Sequence, residues 1–356
     1  MLSLGDQLEA CDNAAVGRLT EIDALRGVAA AIVAFLFHQH FVLGVFRTGP
    51  LDGLPVFTWI HVYGWTMVDL FFVISGFIFS YVYLADGRMR ATLRQFVVAR
   101  FARLYPLHFA MLLASGLIFA FGQPATAGRV SADAWHFLLN LLMLQESGLN
   151  EGLSFNAPAW SISVEVFCYA AFFLIASHSK LPLLAACLAT MGFIATAGPD
   201  PHIDHIARGL CGFFVGVLVH RHRNAPPIVP ILLLAFGLLA IQLRTSISIG
   251  AILSFTCWPA LVMLAPRLFF LRWSALRWLG DRSYSIYMIH APIYWGINIL
   301  VFGSQPVPPA IIWPALILTI TLILGLSDLS YRYMEEPARR YIRRGFCDRK
   351  LASAKI

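Results

Sequence analysis

Charge is scarce in this 356-residue chain: 13% of its residues are Asp, Glu, Lys or Arg, while 59% are hydrophobic. Soluble globular domains carry about 25% charged residues, so the composition excludes an ordinary water-soluble enzyme and predicts a chain solvated by lipid. A charged n-region, a short apolar run and a small-residue cleavage site do not open the sequence. The first nineteen residues are mixed and polar, which predicts no cleaved signal peptide and insertion directed by the first apolar span. Paired cysteine motifs are lacking too. Cys11, Cys168, Cys187, Cys211, Cys257 and Cys347 are scattered singly, which excludes a regular disulfide or zinc framework and leaves small core residues. The eleven histidines include no HxxxH or HExxH pairing, so no metal site is expected. The net charge of +7 could indicate nucleic acid, but the basic residues cluster beside apolar spans, where membrane topology accounts for them; no nucleic-acid partner is expected.

What the sequence has in abundance is apolar runs long enough to cross a bilayer, which takes about 20 residues. Ten spans are predicted, near 22–46, 57–83, 105–121, 157–177, 181–198, 203–220, 226–243, 246–265, 283–303 and 308–333. The connection 122–156 contains an apolar stretch, Asp133 to Gln145, too short to cross comfortably and read as interfacial or re-entrant. Sorting the 26 Lys and Arg among the connections puts 22 on the side of the N-terminus. Only Arg47, Arg129 and Arg244 fall on the other side, and Arg208 lies within a span. Cytoplasmic loops carry the basic excess, so both termini are placed in the cytoplasm. The expected architecture is an all-α polytopic bundle forming a single domain, 1–356, with a short N-terminal segment, 1–20, and a C-terminal tail, 337–356. Neither an internal repeat nor a soluble appended domain is evident.

Charged side chains at the centre of a bilayer cost about 2.5 to 3.5 kcal/mol each on insertion scales, so each needs a partner or a role. His38, Asp69, Glu165, Arg208 and His290 lie inside spans. At about 1.5 Å per residue, His38 and Glu165 fall at one level in a core about 30 Å thick, as a base and its orienting group require. Asp69 is expected lower, nearer the cytoplasm. A second group is basic: Arg100 and Arg103 are one turn apart just before the third span, facing one way. With Arg26 they offer an anion site suited to bidentate capture of phosphate. Arg208 either contacts an acceptor or pairs with Asp204.

Seven motifs come in order along the chain: LTEIDALRGVAAAIVAFLFH from Leu19, VDLFFVISGFIFS from Val68, RFARLYP from Arg100, FNAPAWSISVEVFCY from Phe155, ARGLCGFFVGVLVHR from Ala207, LGDRSYSIYMIHAPI from Leu279 and YRYMEEPARR from Tyr331. In order and spacing the sequence resembles the acyltransferase-3 superfamily, integral-membrane O-acyltransferases that include O-antigen and exopolysaccharide O-acetyltransferases. The resemblance implies transfer of an acyl group, commonly acetyl, from cytoplasmic acyl-CoA to a hydroxyl of an exported or lipid-linked saccharide. It implies a multi-pass protein of the bacterial inner membrane, with acyl-CoA as donor substrate and no permanently bound cofactor. Arg26 and His38 match the family's arginine and essential histidine of the first span, and Arg100 and Arg103 its paired arginines. Asp69, Glu165, Tyr284, Tyr287 and His290 fall in its other motifs. On this basis His38, Glu165 and Asp69 are assigned to catalysis, Arg26, Arg100, Arg103, Tyr284 and Tyr287 to the donor, and Arg208 and His290 to the acceptor.

The chain departs from the family at one place. The family interval from arginine to histidine is eleven, which leaves the two about 20° apart around a helix. Here the interval is twelve, about 120° apart, unless a π-bulge absorbs the additional residue. His40, at fourteen, returns to within about 40° of Arg26 and is the rival of His38. A multi-span transporter using intramembrane His, Asp and Glu as a relay is the alternative to an enzyme.

Overall fold

The computed structural model describes residues 19–44, 54–85, 88–123, 130–149, 152–176, 181–197, 205–243 and 245–338. The expectations for Arg47, Arg129, Lys180, Asp204, Arg244, the start of the N-terminal segment and the end of the C-terminal tail lie outside them. The chain is helical. Helix α1 (Thr20–Ala31) passes into a π-helical turn, Ile32–Phe37, and then into α2 (His40–Leu43), which ends on Gly44 in the left-handed region, φ 74°. Helices α3 (Pro55–Tyr63) and α4 (Met67–Tyr83) are joined through a 3₁₀ turn, Gly64–Thr66. A two-residue hairpin, β1 (Leu84–Ala85) with β2 (Arg88–Met89), reverses the chain into α5 (Leu93–Phe119). There follow α6 (Ala134–Leu141), α7 (Trp160–Ala176), α8 (Leu181–Ala197), α9 (His205–Arg221) and α10 (Ile228–Gln242). After them come α11 (Ile249–Ile252), α12 (Trp258–Leu264), α13 (Ser274–Leu300) and α14 (Ile312–Ser330), with further π-helical turns at Leu253–Cys257 and Tyr331–Glu335.

Among the described residues five helical stretches are long and apolar enough to cross a membrane: Pro55–Tyr83, Leu93–Phe119, Ala157–Ala176, Ile249–Arg267 and Pro309–Ala338. The eight residues of α6 are too few to cross. The start of α5 differs from the sequence expectation. A capping box, in which the Thr92 hydroxyl accepts from the Gln95 backbone N–H and the Gln95 side chain accepts from the Thr92 N–H, starts this helix twelve residues before position 105. Arg100 and Arg103 therefore project from a rigid helix rather than from a connection.

Two helix pairs position the functional residues, and glycine sets both. Parallel α4 and α9 touch backbone to backbone: a Cβ at Gly76 would strike the Phe213 carbonyl, one at Gly212 the Phe72 side chain, and one at Gly216 the Val73 carbonyl. Gly212 and Gly216 form a small-xxx-small pair, the spacing that lets helices approach closely where lipid removes the hydrophobic incentive to associate and dispersion takes over. Parallel α1 and α13 meet likewise at Gly27 and Gly280, where a Cβ on either would collide with the other helix's backbone.

A candidate active site at the α1–α13 contact

The Gly27–Gly280 contact brings Arg26 within reach of α13. Its Nε donates to Ser283 Oγ at 2.8 Å and its Nη2 to the Gly280 carbonyl at 3.1 Å, with Asp23 Oδ1 3.1 Å away. Arg26 lines a cavity together with Arg100 and Arg103 from α5, Glu165 from α7, Ser75 from α4 and Tyr284 and Tyr287 from α13. The Arg100 guanidinium lies 4.8 Å over the Phe79 ring and 5.4 Å over that of Tyr83, and its Nε is shielded from solvent with no hydrogen-bond partner. Such a donor, desolvated and already oriented by aromatic faces, is ready for an anionic oxygen. Three guanidinium groups line this space with the Glu165 carboxylate, and Asp23 pairs with one of them, an arrangement that can receive an anionic group.

The cavity wall leads along α13. Tyr284 donates to the Leu104 carbonyl at 2.6 Å and Tyr287 to the Pro158 carbonyl at 2.9 Å, so both rings are fixed. Tyr287 stands 5.8 Å, centroid to centroid, from His290. His290 is seven residues beyond Ser283, about 10 Å along the helix, and is fully buried. Its Nε2 lies 2.8 Å from His38 Nδ1, and the two rings are within 10° of parallel with centroids 5.1 Å apart, joined edge to edge. The chemistry of the contacts assigns the protons. His290 Nδ1 faces the Ile286 carbonyl oxygen at 3.3 Å, which can only accept, so Nδ1 carries the hydrogen and Nε2 the lone pair. His38 Nδ1–H donates to that lone pair, which leaves His38 Nε2 unprotonated, the state a base needs.

His38 reaches this partner because of the additional residue in its helix. The His38 N–H bonds the Val33 carbonyl at 2.9 Å, five residues back instead of four, and the π-helical turn Ile32–Phe37 absorbs the twelfth residue of the interval. His40 is engaged otherwise: its Nδ1 lies 2.9 Å from the Phe37 carbonyl, where it caps the end of the turn. Its ring is 6.2 Å from that of His61.

Other assigned residues are placed differently from expectation. Glu165 and His38 are not joined. Glu165 accepts from Ser75 Oγ at 2.6 Å and interacts with Tyr169 and Arg100, inside the arginine cavity. Asp69 and Arg208 are partners of each other: Asp69 Oδ1 accepts from Arg208 Nε at 2.9 Å and Nη2 at 2.8 Å. The Arg208 guanidinium is held between Trp65, at 4.6 Å, and Trp160, at 5.0 Å. The parallel α4–α9 contact puts Asp69 beside Arg208, near the N-terminal end of α9. Neither Asp69 nor Arg208 lines the arginine cavity.

Three residues escaped the sequence reading. Pro292 has no N–H to give the Met288 carbonyl, and Asn156 Nδ2 takes that oxygen at 2.9 Å. Ser283 fixes Arg26. Tyr294 bonds the backbone of the π-helical turn, donating to the Ala34 carbonyl at 2.7 Å. For the first, the proline inside the helix was a readable signal; for the third, the long interval after Arg26 was.

The acyltransferase-3 family model, described as an acyltransferase domain, matches residues 19–328. The chain is similar to YrhL of Bacillus subtilis (strain 168), 24% identical over 370 residues, 84% of this chain and 56% of that one. It is similar to the peptidoglycan O-acetyltransferase OatA of Listeria monocytogenes serovar 1/2a, 25% identical over 334 residues, 78% of this chain and 51% of OatA. To the acyltransferase MdmB of Streptomyces mycarofaciens it is 32% identical over 161 residues, 44% of this chain and 39% of MdmB. The chain thus spans about half the length of the first two relatives. No solved structure matches it significantly. The ordered motifs, the arginine-lined cavity and a match over most of its length place the chain in the acyltransferase-3 family.

Proposed function

We propose that this protein is a membrane O-acyltransferase that moves an acyl group, commonly acetyl, from cytoplasmic acyl-CoA to a hydroxyl of an exported or envelope carbohydrate. One observation carries this: guanidinium groups from two helices line a cavity with Tyr284 and Tyr287, and the Tyr287 ring is 5.8 Å from that of His290, which lies outside the lining and bonds His38. Arg26, Arg100 and Arg103 hold the phosphates of the donor, and the pantetheine arm extends past the two tyrosines. At His38 the acceptor hydroxyl oxygen attacks the thioester carbonyl carbon while Nε2 takes the hydroxyl proton. The carbon–sulfur bond then breaks, and the departing CoA thiolate takes that proton from the imidazolium. His290 holds the His38 tautomer, the part a carboxylate plays in other triads, and Glu165 orders the arginine cavity through Ser75 and Tyr169.

The ten-span arrangement with both termini in the cytoplasm belongs to the same proposal, in the inner membrane of a bacterium. The helix directions support it. Parallel contact of α1 with α13 and of α4 with α9 requires an even number of crossings from one member to the other, as ten alternating spans provide. The arginine end then faces the cytoplasm, where acyl-CoA is made. The peptidoglycan named for OatA makes cell-wall glycan hydroxyls the first acceptors to examine.

The experiment uses inside-out membrane vesicles that contain the protein, radiolabelled acetyl-CoA, and the vesicles' own carbohydrate as acceptor. Label should appear as base-labile ester, and His38→Ala should abolish it while acetyl-CoA binding persists. Full transfer by His38→Ala, or transfer lost only in His40→Ala, would refute the proposal.

A further inference from the structure

The π-helical turn leaves a backbone debt that one side chain on α13 settles. In an α-helix the His38 N–H would bond the Ala34 carbonyl; here it bonds Val33 instead. A buried carbonyl without a donor costs about 1–3 kcal/mol, enough to return a single turn to regular α geometry. Tyr294, fully buried, donates its hydroxyl to the Ala34 oxygen at 2.7 Å. It sits one turn after His290 on the same helix, their rings 6.0 Å apart. One face of α13 therefore holds the base twice, His290 by its ring and Tyr294 by the backbone that carries it.

We propose that Tyr294 is a positioning residue for His38, and that its hydroxyl selects the π-helical turn this chain needs because the interval from Arg26 to His38 is twelve, not eleven. The inference rests on His38 being the base. Without the hydroxyl, the turn relaxes toward α geometry and His38 rotates by about 100°, one residue's worth of helix, away from His290. Arg26, Arg100 and Arg103 line a cavity that His38 does not line and keep the donor.

The test combines two changes in inside-out vesicles supplied with radiolabelled acetyl-CoA. Tyr294→Phe should lower the maximal rate of ester formation by tenfold or more, with KM for acetyl-CoA within about twofold of the parent. Deleting Leu36 restores an interval of eleven and removes the need for the π-helical turn. The deletion should retain transfer, and adding Tyr294→Phe to it should cost little further. Loss of a hydroxyl from a merely structural tyrosine would not be rescued by shortening a different helix.

An unchanged maximal rate in Tyr294→Phe overturns the inference, as does a folded Leu36 deletion in which Tyr294→Phe still costs tenfold. If the deletion does not accumulate in the membrane, the split between rate and KM in Tyr294→Phe decides alone, with a rise in KM counting against it. His38→Ala separates the levels. Full transfer by that variant removes the functional proposal and this inference with it, whereas an inactive His38→Ala beside a fully active Tyr294→Phe removes this inference only.

Discussion

Arg100→Ala should weaken acetyl-CoA far more than it slows transfer. The side chain reaches the cavity from the third turn of α5, and its guanidinium is held by the faces of Phe79 and Tyr83, so little ordering remains to be done when a phosphate arrives. Hydrogen bonds to charged groups contribute about 1.5–3 kcal/mol each. At 1.4 kcal/mol per tenfold, losing one such contact raises KM for acetyl-CoA by roughly 10- to 150-fold. Arg100→Lys keeps the charge and loses the planar fork, and should fall between Ala and the parent. The assay compares two donors in vesicles or nanodiscs: acetyl-CoA and S-acetylpantetheine, the same thioester without phosphates. If Arg100 acts on phosphate, as proposed, the parent and Arg100→Ala should differ with acetyl-CoA and use S-acetylpantetheine equally well. An equal penalty with both donors, or an unchanged KM for acetyl-CoA, refutes the phosphate site.

Asp69 and Arg208 should behave as a structural pair. Removing one partner of a buried ion pair costs about 3–5 kcal/mol, so Arg208→Ala should sharply lower thermal stability in detergent, with the folded fraction still transferring at the parent rate; a stable but inactive Arg208→Ala would return it to the acceptor site. Gly216→Leu should prevent accumulation in the membrane, since its Cβ meets the Val73 carbonyl, whereas Gly325→Ala, with nothing within 4 Å of the added Cβ, should be neutral or slightly stabilising. Immunoblots of membrane fractions check both, and normal accumulation of Gly216→Leu would refute the close α4–α9 contact.

Much of this arrangement was readable from the sequence, and the unreadable part has a common cause. Arg26, Arg100 and Arg103 could be grouped because topology rules place basic residues at helix ends, and spacing of three fixes a shared face on any helix. The twelve-residue interval announced either a misdirected His38 or a π-helical turn. The partners were not legible. Which carboxylate Arg208 meets depends on Gly212 and Gly216 bringing α9 against α4, and which group orients His38 depends on the register of α1 against α13. Such registers are set by contacts between residues more than a hundred positions apart, which no local period encodes. Counting 1.5 Å per residue gives a position along one helix but not which neighbour that position meets, so it could pair neither Asp69 with Arg208 nor Glu165 with Ser75.

The polarity of α13 follows from the same registers. Its apolar character is diluted by Ser283, Tyr284, Tyr287, His290, Tyr294 and Asn298, and it is absent from the stretches apolar enough to cross a membrane on composition. Yet each of these side chains is bonded: Ser283 to Arg26, Tyr284 to Leu104, Tyr287 to Pro158, His290 to His38, Tyr294 to Ala34, and Asn298 to the Val42 carbonyl at 3.3 Å. Four of the six fasten α13 to α1 and its continuation, rising with it from Arg26 to Val42 in parallel. A polar face costs a lipid-facing helix several kcal/mol, so these residues can persist only where α13 faces protein. The same fastening fixes the separation between the arginine end and His38, because both ends of α1 are pinned to one rigid helix. In the proposed reaction, a phosphate grip and a base must stay a fixed distance apart for a thioester on a donor of fixed length to reach the base. The polar stripe that weakens α13 as a membrane span is therefore what sets that distance.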